Sequence, residues 1–74
     1  MPANLKQPTL TLTLNAKAVT TPAVTLADLV AEQGHGGSKI ATAVNGTFVA
    51  ASARATTRLA GGDRVEIVSP RQGG

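Results

Sequence analysis

Apolar and polar positions alternate strictly from Thr9 to Leu14, with Leu10, Leu12 and Leu14 on one side and Thr9, Thr11 and Thr13 on the other. A period of two in apolar and β-branched residues predicts a strand with one buried face. Asn15-Ala16 fits a tight turn, although alanine lacks glycine's tolerance of positive φ. Lys17 to Thr21 then reads as the returning strand, ended by Pro22. The period next changes to that of a helix. Thr25 suits an N-cap, Asp28 three residues on makes a weak capping box, and Leu26, Leu29, Val30 and Gln33 share one helical face. Gly34 supplies the stop.

Beyond a glycine-rich stretch at residues 34–39, Ile40 to Val44 predicts a strand that is apolar on both faces and covered by the helix. Asn45-Gly46 is a strong type I′ hairpin signal and leads into a short strand, Thr47 to Val49. Ala50 to Ala60 predicts an irregular or briefly helical crossover. Gly61-Gly62-Asp63 turns the chain into a last strand, with Val65 and Ile67 alternating against Arg64 and Glu66. Two strands, a helix and three more strands predict an α+β fold of the β-grasp, or ubiquitin-like, type. In it one main helix packs across one face of a mixed sheet of four to five strands. The expected organisation is a flexible N-terminal extension at 1–7, a β-grasp domain at 8–69 and a flexible Gly-Gly tail at 70–74.

Composition narrows the chemistry. Seventy-four residues allow one small core, and a deep pocket enclosed by this chain alone is not expected. There is no cysteine, which removes disulfides, thiolate metal sites and thiol nucleophiles. The net charge of +3 comes from seven scattered lysines and arginines, and Phe48 is the sole aromatic residue. That pattern does not suit stacking on single-stranded nucleic acid, and a solvated basic surface accounts for it. Phe48 itself fits a core position better than a contact. No apolar run approaches membrane-spanning length and no secretory leader is evident, so a cytoplasmic location is expected, without membrane or nucleic-acid partners.

Side-chain chemistry is sparse. Residues 34–39, Gly-His-Gly-Gly-Ser-Lys, fail the phosphate-loop spacing because Ser38 precedes Lys39 and a helix precedes the loop. His35 is the only histidine and cannot build a zinc site alone. Asp28 and Glu32 read as solvated, Asp63 as the cap of the glycine turn, and no two carboxylates form an acid–base pair. Arg54 and Arg58 suit either an exposed crossover or a partner surface.

The end of the sequence carries more. Pro70 stops the last strand, and Arg71, Gln72, Gly73 and Gly74 reach roughly 13–14 Å when extended. Glycine lacks a Cβ and threads narrow channels, so this end suits delivery of the Gly74 carboxylate into another protein's active site. On local chemistry alone a frayed or truncated terminus accounts for it equally well.

Three segments carry a resemblance. Ala43-Val-Asn-Gly46, Gly62-Asp-Arg-Val-Glu-Ile-Val-Ser-Pro70 and Gly73-Gly74 together resemble the ThiS family of sulfur carriers in thiamine biosynthesis, over about residues 8 to 74. The resemblance implies a protein co-substrate with no active site of its own. Gly74 would be adenylated by a ThiF-like enzyme of the ubiquitin-activating type, with ATP and Mg²⁺ used by that partner and no cofactor bound by this chain. A sulfur donor fed by cysteine desulfurase would convert the adenylate to a thiocarboxylate. A ThiG-like thiazole synthase would accept the sulfur, with Arg71, Gln72 and Gly73 threading the partner's active site. The sequence departs from the pattern in about seven extra N-terminal residues, in Ala16 after Asn15, in Ala50-Ala51, and in Arg71. Carriers for molybdopterin, RNA thiolation or cysteine synthesis, a ubiquitin-like modifier, and a passive β-grasp binding module are the competing readings. The residues Ser69-Pro70-Arg71-Gln72 argue against the molybdopterin type.

Overall fold

The computed structural model describes residues 8–35 and 39–69. The expectations for the N-terminal extension, for residues 36–38 and for the tail at 70–74 lie outside the described residues. Five strands, one α-helix and one 3₁₀ turn follow in the order β1 (Leu10–Leu14), β2 (Lys17–Thr21), α1 (Leu26–Glu32), β3 (Ala41–Val44), β4 (Thr47–Val49), the 3₁₀ turn (Ala51–Thr56) and β5 (Arg64–Val68). The strands form one sheet in the order β2-β1-β5-β3-β4. Every pairing is antiparallel except the central one, where β1 and β5 run parallel. This is the predicted β-grasp.

Each hairpin is specified locally. Asn45 and Gly46 both adopt positive φ (52° and 84°), which the type I′ turn requires. Asn15 and Ala16 do the same at the first hairpin (52° and 70°), and there an alanine occupies a conformation that costs an L-residue with a Cβ about 1 kcal/mol or more. The helix is only seven residues long, so its ends matter. Thr25 Oγ1 accepts from the Asp28 amide at 3.2 Å, and Asp28 Oδ2 accepts from the Thr25 amide at 3.1 Å, a complete capping box. These bonds, led by that from the Thr25 backbone, hold the Asp28 carboxyl below its ordinary pKa of 3.8. At the other end Gly34 (φ 83°) closes a Schellman turn, with the Gly34 amide donating to Ala31 O and the His35 amide to Val30 O. Gln33 is the C-cap and is exposed, so it leaves the apolar face that the sequence assigned to it.

The core is thin. Leu12, Leu26, Leu29, Val65 and Ile67 meet between sheet and helix, with Ala23, Val30 and Leu59 closing its margin. Two buried threonines join the layers. Thr21 Oγ1 donates to Glu32 Oε1 at 2.5 Å and accepts from the Ala23 amide, tying the end of β2 to the helix. Thr42 Oγ1 donates to Val49 O at 2.8 Å and accepts from Arg54 Nε at 3.1 Å, while Arg54 Nη2 donates to Ile40 O at 2.9 Å. Arg54 is therefore half-buried, pinning the 3₁₀ turn beneath β3. Asp28 completes the capping box read from the sequence, and Glu32, read there as solvated, accepts a hydrogen bond from Thr21.

The central β1–β5 pair has only two backbone register pairs, Thr13↔Arg64 and Leu14↔Val65. Side chains extend it. Beyond the end of β1, Asn15 Oδ1 accepts from the Ile67 amide at 2.9 Å and Asn15 Nδ2 donates to Ile67 O at 3.1 Å, so a side-chain amide takes the place of a peptide in the ladder. At the start of β5, Asn45 Oδ1 accepts from the Arg64 amide at 2.8 Å while its Nδ2 donates to Asp63 Oδ1. Asp63 Oδ2 accepts from the Ala60 amide at 2.8 Å, which is the turn cap read from the sequence.

Adjacent glycine substitutions in the first turn should act in opposite senses. Ala16→Gly relieves a left-handed alanine and should raise stability by about 1 kcal/mol. Asn15→Gly keeps the turn geometry but removes both bonds to Ile67, and should lower it by about 1 kcal/mol or more. Urea denaturation of the two variants checks both signs. For the helix cap, the lowered pKa means that Asp28 stabilises the fold fully above 3.8 and loses that effect as the pH falls through its depressed folded value. The melting-temperature gap between wild type and Asp28→Asn should accordingly narrow in acid.

Candidate functional site

β5 is the strand that leads to the predicted working end, and it is the central strand of the sheet. Its inward residues Val65 and Ile67 are buried under the helix, while Arg64, Glu66 and Val68 face outward. On the neighbouring strand Ala43 pairs with Glu66 and Ala41 with Val68, and Ala43 also pairs with Phe48 on β4. Cross-strand partners sit about 5 Å apart, so these residues form one continuous patch beside the base of the tail.

Phe48 is 68% exposed and Val68 57%. The sequence reading put Phe48 in the core; the hairpin register puts it outside. Thr42 and Val49 pair on the helix side, so the next pair along, Ala43 and Phe48, must point away from it. The small side chains of Ala41 and Ala43 leave a shallow groove of about 380 Å³ between Phe48, Glu66, Val68 and the Asn15-Ala16 turn. The β1–β2 half of the same face carries threonines, among them Thr11 and Thr20, whose hydroxyls lie 3.4 Å apart. The outer face is thus apolar where the tail departs and polar elsewhere.

The sequence-predicted site residues Arg71, Gln72, Gly73 and Gly74 lie outside the described residues, and the structure describes the strand that precedes them in sequence. Of the other candidates, His35 is half-buried in the helix-terminal turn and Arg54 bonds to β3. Arg58 is exposed at the far end of the sheet, beside a second groove of about 330 Å³ with Leu10, Pro22 and Val24. Among the described residues no group of three or more His, Cys, Asp or Glu side chains is placed to hold a metal ion. Among the described residues, too, no helix is long and apolar enough to cross a membrane.

The sequence reading missed the exposed apolar groove on this face. Its signal was present in the register of the Asn45-Gly46 hairpin, which orients Phe48 once the bulky Ile40 and Val44 are assigned to the helix side.

Comparison with known proteins gives the same arrangement. The fold matches the crystal structure of the thiamine biosynthesis protein ThiS from Geobacter metallireducens, with a TM-score of 0.73 and 25% identity, over 88% of this chain and all of that one. No curated protein matches the sequence. The model of the ThiS family matches residues 9–74, a span that takes in all five strands, the helix and the Gly-Gly end. The chain belongs to the ThiS family.

Proposed function

We propose that this protein carries sulfur for thiazole formation as a thiocarboxylate on Gly74, and that it acts as a co-substrate of other enzymes. Family membership supports a sulfur-carrier role in thiamine biosynthesis. The observation that carries the finer reading is the joining of a Gly-Gly end to the central, doubly clamped strand of the sheet.

The chemistry follows from the weakness of a carboxylate as an electrophile. Its charge is delocalised and oxide is a poor leaving group. An adenylating partner would join the Gly74 carboxylate to AMP with release of pyrophosphate. Charge repulsion between the carboxylate and the triphosphate would be screened by the partner's cations and Mg²⁺. Persulfide sulfur would then displace AMP, and cleavage of the sulfur–sulfur bond by a second thiol would leave the thiocarboxylate. Thiazole synthase would take that sulfur. The lack of cysteine in the chain suits this sequence, because no internal thiol competes for the activated acyl group.

The groove beside Phe48 and Val68 would seat against the adenylating enzyme, fixing the body while residues 71–74 enter the active site. Uniform docking contacts of this kind lower the concentration of carrier needed, while the chemistry stays with the tail.

Appending one residue after Gly74 should abolish ATP–pyrophosphate exchange by the adenylating enzyme of the same organism, because the reacting carboxylate is displaced. Sustained exchange with the extended chain would overturn the mechanism. Intact mass of the protein isolated from its own host should show one terminal oxygen replaced by sulfur. A covalent conjugate to another protein would instead identify a modifier.

A further inference from the structure

The chain has four side-chain carboxylates, and three have hydrogen-bonding roles within the fold. Asp28 caps the helix, Glu32 accepts from Thr21, and Asp63 accepts from Asn45 and from the Ala60 amide. Glu66 differs. Among the described residues its side chain makes no hydrogen bond, and it stands at the middle outward position of the central strand, in the groove between Phe48, Ala43 and Val68.

Glutamate is a poor choice there on local grounds. Strands disfavour it, and the neighbouring groove positions offer β-branched or small apolar residues a better fit. Among the described residues no cation bonds to it. Arg64 is the nearest candidate on the same strand and face, about 7 Å away by strand geometry. Its guanidinium turns toward the Asn45-Gly46 hairpin, with Nη2 4.0 Å from the position a Gly46 Cβ would occupy.

A carboxylate in an apolar groove tolerates exposure to water but not burial without a counter-charge. Covering this groove strips water from Glu66, and that cost is offset only when the covering surface brings a cation. The requirement is local and runs against the overall charge of +3, so general attraction between an acidic partner and a basic carrier does not meet it.

We infer that Glu66 is a specificity determinant of the docking face, pairing with an arginine or lysine of the adenylating enzyme that also seats an aliphatic side chain over Ala43 between Phe48 and Val68. The inference rests on the carrier reading above. It assigns to Glu66 a binding role, separate from the acyl chemistry at Gly74. A partner without a cation at this point is rejected by the stranded carboxylate, which is discrimination by penalty as much as by attraction.

The test is ATP–pyrophosphate exchange by the adenylating enzyme of the same organism, with carrier concentration varied for wild type, Glu66→Gln and Glu66→Arg at low and high salt. Glu66→Gln should raise the carrier KM about tenfold and Glu66→Arg about a hundredfold, with kcat at saturation nearly unchanged. The salt dependence of KM should be shallower for Glu66→Gln than for wild type. Both variants should melt within a few degrees of wild type, since Glu66 makes no side-chain hydrogen bond among the described residues; a large loss of melting temperature would make the residue structural and overturn the inference. Unchanged KM in both variants, with active wild type, would also overturn it. Wild-type carrier that supports no exchange at all would instead remove the carrier reading and this inference with it.

Discussion

The parallel pairing of β1 with β5 holds the molecule together. Each hairpin, β1–β2 and β3–β4, forms from residues close in sequence, but two isolated hairpins have no shared core. β5 joins them by pairing parallel to β1 and antiparallel to β3. The parallel side is short, and the side chain of Asn15 prolongs it across 52 residues of sequence to reach Ile67. Because Val65 and Ile67 alternate with Arg64, Glu66 and Val68, the same pairing that buries the core also fixes which residues face outward. Packing of the helix and composition of the outer groove both descend from one register.

Much of this was legible in the sequence where the signals are local. Strict alternation marked β1 and β5, Thr25 with Asp28 marked the helix start, Gly34 its end, and Asn45-Gly46 the second hairpin. What escaped was the work of side chains that bond far along the chain. Asn15 reads as a turn residue, and nothing in its neighbours announces that its amide will serve as a surrogate peptide for Ile67. Arg54 reads as exposed on a crossover until the tertiary fold brings it beneath Thr42 and Ile40. Glu32 looks solvated until β2 ends against the helix. Phe48 was misplaced for another reason: a single large aromatic residue in a thin chain invites a core position, whereas two-residue hairpin geometry sends it outward.

The candidate site divides along the same line. Its proposed covalent end rests on the sequence alone, on Gly73-Gly74 and the strand before them, and lies outside the described residues. The outer groove was not legible, because it is a property of register: Ala41, Ala43, Phe48, Glu66 and Val68 come from three strands and share no local pattern.

The two turn asparagines have unequal chemical lifetimes. Both clamp β5 through their side-chain amides, but Asn45 is followed by glycine and Asn15 by alanine. An asparagine before glycine is the more open to attack on its side chain by the next backbone nitrogen, because no Cβ obstructs the five-membered ring that leads to deamidation. At Asn45 that reaction would exchange a donor for a carboxylate directly opposite Asp63. The left-handed Ala16 obstructs the same reaction beside the clamp that spans the centre of the sheet. The same methyl group that strains the first turn thereby slows the ageing of the residue on which β5 relies.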